Sequence, residues 1–151
     1  NWNWIEALIA SVPIAILVML IVWINQFQDA PSDAAVGKNT WVVRTAEKGE
    51  WMKLEKPLRL YKQFMIEAFV AVALVGTLNF FTDFGTVYAF MALIPIALVW
   101  KAFKMADEWM IKWNNPNADR QKVPYELLLV NVSTIGIHFL TGILLAVAYI
   151  L

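Results

Sequence analysis

Four long apolar stretches, over residues 4–24, 64–81, 86–103 and 125–151, limit this chain more than any other feature. Each is long enough to cross a hydrocarbon layer of roughly 30 Å at about 1.5 Å per helical residue. Such a layer offers no water to backbone amides. A crossing segment must therefore close its own hydrogen bonds as a helix or join a closed barrel. These stretches are apolar all round and do not alternate with period two, which selects helices. Composition agrees: 60% of the 151 residues are hydrophobic, where soluble domains hold about half, and mean hydropathy is +0.59. The expectation is an all-α membrane protein. It has a single membrane domain over residues 1–151, four transmembrane helices, and polar links at 25–63 and 104–124.

Charge placement suggests the orientation. Lys38, Arg44, Lys48, Lys53, Lys56, Arg59 and Lys62 belong to the first link, and Lys101, Lys104, Lys112, Arg120 and Lys122 to the second. The N-terminus, the turn at 82–85 and the C-terminus carry no Lys or Arg. By the positive-inside rule both links are expected in the cytoplasm and both termini outside an inner or plasma membrane. The 12 basic and 12 acidic residues cancel, which gives no electrostatic footprint for nucleic acid. The absence of cysteine excludes disulfides and thiolate metal sites. The first stretch lacks a basic leader and is long enough to span, so no cleaved signal is expected. The chain starts at Asn1 and not Met, so sequence preceding it is expected. Pro13 and Pro95 are expected to kink their helices, and Pro31 to break the helix that leaves the first stretch.

Where the first apolar stretch meets the polar link, Asn25, Asp29 and Asp33 recur every fourth residue. On a helix that spacing stacks three side chains on one face. Two carboxylates so placed repel unless a cation lies between them. Magnesium suits the gap, because it binds through one or two carboxylates and keeps its other positions for water and phosphate. Gly37 gives the backbone freedom to turn. Lys38 and Arg44 then bring a point charge and a bidentate fork, both suited to phosphate. The pattern suggests a diphosphate held through metal beside a lipid. Taken on spacing alone, a solvated helix end explains it equally well.

The run Asn25-Gln26-Phe27-Gln28-Asp29, Asp33, Gly37-Lys38-Asn39-Thr40-Trp41-Val42-Val43-Arg44 resembles the second aspartate-rich motif of UbiA-type intramembrane prenyltransferases. Members read roughly N-x3-D-x3-D-x3-GK-x-T-x-x-V-R here, and each fixed position is matched. The style is that of the branch that prenylates 1,4-dihydroxy-2-naphthoate in menaquinone synthesis. The terminal run from His138 to Leu145 is similar to the family's last helix. The resemblance implies a bundle of nine transmembrane helices, of which this chain supplies the last four. It implies two aspartate-rich motifs holding Mg2+, a polyprenyl diphosphate donor and an aromatic acceptor. Asn25, Asp29 and Asp33 would serve the metal, with Asp29 and Asp33 as its catalytic carboxylates. Asn25, Lys38 and Arg44 would hold the diphosphate. The chain departs from the family pattern in lacking the first motif and in a longer, charged link at 45–50. An N-terminal half or a partner subunit carrying that motif is therefore expected.

Other residues have plainer readings. His138 is the one histidine and suits an interhelical hydrogen bond better than a haem or pigment ligand. Glu67 is expected at the membrane boundary or facing a cavity, since charge at mid-bilayer is costly. Asn79 and Asn131 are expected to bond between helices. Trp2, Trp4, Trp23, Trp41, Trp51, Trp100, Trp109 and Trp113 flank the stretches as an interfacial belt would, with Trp23 and Trp41 the best candidates for contact with a substrate. Residues 114–117 read as a turn. The competing function is that of a non-catalytic subunit in a larger membrane complex.

Overall fold

A computed structural model describes residues 4–46 and 53–151. Trp2, Lys48 and Trp51 and most of the charged link at 45–50 lie outside the described residues. Helix α1 spans Trp4–Ala35, α2 Trp41–Thr45, α3 Glu55–Leu78, α4 Ile96–Trp113 and α5 Leu128–Ala148. A 3-10 helix at Val87–Leu93 leads into α4, and another at Val123–Leu127 leads into α5. There is no strand among the described residues.

Three of these units are long and apolar enough to cross a membrane: Trp4–Ala35, Val87–Trp113 and Val123–Ala148. Helix α3 is not among them, and its first 13 residues carry Glu55, Lys56, Arg59, Lys62 and Glu67. The expected all-helical membrane class is therefore met with three such units.

The links are far more helical than the sequence suggested. Helix α1 runs 32 residues, well past the end of its apolar stretch, with both Pro13 and Pro31 inside it. The expected break at Pro31 does not occur. A proline removes one ladder hydrogen bond, but Phe27, Ala30 and Asp33 are buried on one face of this segment, and that packing carries the helix through. Pro95 acts differently. It follows the 3-10 helix, which ends at Leu93, and caps α4, so the third stretch changes helix type there and is not one kinked helix. Helix α4 then continues to Trp113, across half of the expected second link.

The core lies where α1 packs against α3 and α5, and α4 against α5. Leu17, Leu20, Ile24 and Phe27 of α1 are fully buried, as are Tyr61 and Met65 of α3 and Ala102, Ala106 and Trp113 of α4. Their spacing by three and four residues gives each helix one buried stripe. The Tyr61 hydroxyl and Thr134 Oγ1 are 2.7 Å apart, linking α3 to α5 inside this core. A smaller cluster of Val72, Val75, Ala89, Ala92 and Leu145 closes the other end.

The tryptophans split. Trp4 and Trp100 are exposed, but Trp23, Trp109 and Trp113 are buried, so half of the described tryptophans are packing residues and not a belt. The Trp23 indole donates to the Pro57 carbonyl at 3.2 Å, and the Trp109 indole to that of Val123 at 2.8 Å. On the polar side Lys62 pairs with Asp107 and Lys112 with Glu126. Asn114 donates to Glu55 at 3.0 Å. These exposed links add little energy each, but Lys62–Asp107 and Asn114–Glu55 hold the start of α3 beside the end of α4, and Lys112–Glu126 ties α4 to the 3-10 helix before α5. The expected turn at 114–117 is present, with the Asn117 amide donating to Asn115 Oδ1 at 2.9 Å.

Candidate functional site

The end of α1 is built by one residue pair. The Gly37 amide donates to the Ala34 carbonyl at 3.1 Å, and the Lys38 amide to the Asp33 carbonyl at 2.8 Å. With Gly37 at φ +73°, this is a Schellman cap, which needs a left-handed residue that glycine adopts freely. The Lys38 side chain then returns to the same residue, with Nζ 3.0 Å from Asp33 Oδ1. The spacing from Asp33 to Gly37-Lys38 is thus set by backbone geometry. It places an ammonium on a carboxylate that is itself only 7% exposed.

That carboxylate is half used. Asp33 Oδ2 is buried and has no hydrogen-bond partner among the described residues. Asp29 and Asn25 stand one and two turns back and are exposed. The Asp29 carboxylate makes no ion pair among the described residues. The Asn25 carbonyl oxygen accepts a 2.7 Å hydrogen bond from Asn131 Nδ2 of α5. The structure therefore brings Asp33 and Lys38 together and keeps Asn25 and Asp29 on the same helix.

Arg44 is placed elsewhere. It lies on α2 and lines an open cavity of about 490 Å³ with Met19, Trp23, Trp41, Thr45, Leu60 and Phe64. Trp23 meets Trp41 at 5.9 Å and Phe64 edge-on at 5.9 Å. Helix α2 is seated by Gln26, whose Oε1 accepts the Val42 amide at 3.2 Å. A remote side chain thereby satisfies one of the amides left open in the first turn of α2. Among the described residues no hydrogen bond or ion pair joins Arg44 to the acidic stripe. Arg44 stands at an apolar cavity, as a cation beside a greasy slot.

The donor set of the stripe is two carboxylates and one amide, all hard oxygen. No group of three or more His, Cys, Asp or Glu residues that could hold a metal occurs among the described residues. The set fits a cation that needs few protein ligands and takes water and phosphate for the rest, as magnesium does. The unpaired, buried Asp33 Oδ2 is the observation behind that fit.

Asn131 makes the bond between helices expected of it, but its partner was not foreseen, and sequence reasoning overlooked Gln26, Met19 and Leu60. Asn131 had a signal of its own, an amide in the most apolar helix. Gln26 and the cavity wall had none, because their roles depend on how α2 folds back. His138 is half-buried in α5 with no hydrogen bond among the described residues. The Glu67 carboxylate is exposed and accepts from Gln63, one turn earlier, at 2.8 Å. Asn79 donates to the Gly85 carbonyl at 3.2 Å and closes the turn after α3. No protein-family description, curated protein or solved structure matches the chain.

Proposed function

We propose that this chain supplies one aspartate-rich half of a magnesium-dependent prenyltransferase of the UbiA type. It would transfer a polyprenyl group from its diphosphate to an aromatic acceptor in quinone or related lipid synthesis. The observation that carries this reading is the capped end of α1. There one buried carboxylate is held by lysine through one oxygen and left open at the other. Asp29, Asp33 and Asn25 would hold the metal. Bound magnesium would neutralise the charge that develops on the departing diphosphate. Lys38 would bind the diphosphate directly, with Arg44 adding a cation from the slot, and a preorganised cation favours the charge-separated transition state. The C–O bond of the allylic donor breaks, a carbon of the electron-rich ring takes the prenyl group, and that carbon loses its proton. The slot lined by Trp23, Trp41 and Phe64 has the apolar walls a prenyl chain needs, and its aromatic faces stabilise a nearby carbocation.

In this reading α3 is a fourth transmembrane helix, the chain corresponds to the last four helices of nine, and the α1–α2 link faces the cytoplasm. The first aspartate-rich motif comes from an N-terminal half or a partner subunit. The test is prenyl transfer by the complete protein after Asp29→Asn or Asp33→Asn. Each change is expected to lower kcat by about 10²–10³-fold, the loss seen when one transition-state charge contact is removed. Full activity in both variants would remove the assignment. The second reading, a non-catalytic membrane subunit, draws on the absence of a three-ligand group among the described residues. It expects Asp29→Asn to disturb assembly and leave transfer unchanged.

A further inference from the structure

Asn131 sits on α5 and is 4% exposed. Its Nδ2 donates to Asn25 Oδ1 at 2.7 Å, across a sequence separation of 106 residues. Its own Oδ1 is buried with no hydrogen-bond partner among the described residues. An amide so placed is a poor packing residue. Burying a polar oxygen unsatisfied is unfavourable, and a leucine of similar size would remove the penalty. Nor does α5 need this amide to hold its place. Thr134 Oγ1 donates to the Val130 carbonyl at 2.8 Å and meets the Tyr61 hydroxyl one turn away.

What the amide does is fix Asn25. An exposed asparagine turns its carboxamide freely and offers its oxygen or its NH2 with similar ease. A cation accepts only the oxygen. With Asn131 donating to it, the Asn25 carbonyl is held in one orientation, and a carbonyl oxygen has a second lone pair to offer.

We propose that Asn131 is a positioning residue for the acidic stripe, holding the Asn25 carbonyl as an oxygen ligand for a divalent cation. The proposal rests on the magnesium site read above. It adds a partner on a different helix, outside the motif. Groups that orient a metal ligand through its other hydrogen bond tune affinity by about 10- to 100-fold.

The experiment is Mn2+ binding by electron paramagnetic resonance on the purified full chain in lipid nanodiscs, with inorganic pyrophosphate present. Asn131→Leu and Asn131→Ala are expected to weaken Mn2+ binding about tenfold, with the thermal midpoint of Asn131→Leu at or above the parent's. Asn25→Ala is expected to weaken it similarly. The double change Asn25→Ala with Asn131→Leu is expected to be no worse than Asn25→Ala alone, because Asn131 acts through Asn25. Unchanged affinity in both Asn131 variants, or losses that multiply in the double variant, would overturn the proposal. Mn2+ binding that is absent in the parent chain, or indifferent to Asp29→Asn and Asp33→Asn, would overturn the site itself. That pattern is distinct, since the aspartate variants then behave like the parent.

Discussion

Asp33 does two jobs with two chemically different parts. Its backbone carbonyl receives the Lys38 amide and ends α1, and its carboxylate receives the Lys38 ammonium. Lys38→Met is expected to lower stability by about 1 kcal/mol, because a largely buried carboxylate loses its partner while the lysine itself was mostly in solvent. Gly37→Ala is expected to cost a further, independent ~1 kcal/mol from its positive φ, since a Cβ there meets nothing within 4 Å. Thermal unfolding in detergent measures both, and a Gly37→Ala midpoint equal to the parent's would show that the cap is not under that constraint. The motif was readable in the sequence because its spacing repeats the helix period and then spells a cap. The Asn25–Asn131 pair was not readable, because nothing local links two amides so far apart in the chain.

At the scale of elements, the short helix α2 is the least self-sufficient. Five residues cannot hold a helix by propensity alone, and α2 owes its position to Gln26, to the Trp23–Trp41 contact and to burial of Val42. Gln26→Ala is expected to cost about 0.5–1.5 kcal/mol and to raise proteolytic cleavage near Trp41, read by mass spectrometry under native conditions. Unaltered cleavage would mean the aromatic contact alone suffices. The apolar stretches showed the four long helices but not α2. Their ends were misjudged because α1 and α4 extend into polar sequence, where Asp33, Trp109 and Trp113 are buried by neighbours that hydropathy cannot see. The two prolines show the same limit. Pro31 sits on a helix whose inner face is already committed to the core, whereas Pro95 follows a 3-10 helix with no α-helical ladder to inherit.

The arrangement of the whole molecule turns on α3. Its start lies beside the end of α4, through Lys62–Asp107 and Asn114–Glu55, and its far end packs on the small cluster with Leu145. If α3 crosses the bilayer, Asn39 and Asn115 lie on the same side and Asp83 on the other. The chain has no native cysteine, so Asn39→Cys, Asn115→Cys and Asp83→Cys can be labelled one at a time in sealed vesicles with an impermeant maleimide. Asn39→Cys and Asn115→Cys are expected to react together and Asp83→Cys from the opposite face. Asn39→Cys reacting from the side of Asp83→Cys would leave α3 on one side of the membrane.

The close approach of Trp23 and Trp41 has an optical consequence. Two indoles with ring centroids 5.9 Å apart share their electronic excitation, and the resulting circular dichroism band vanishes when the rings separate. Trp109 and Trp113, at 5.4 Å within one helix, give a second such band. The part of the signal lost in Trp41→Phe therefore belongs to the cavity wall. With that difference spectrum in hand, the chain reports whether α2 is shut against α1 without any added label, as lipid, diphosphate or divalent cation is titrated.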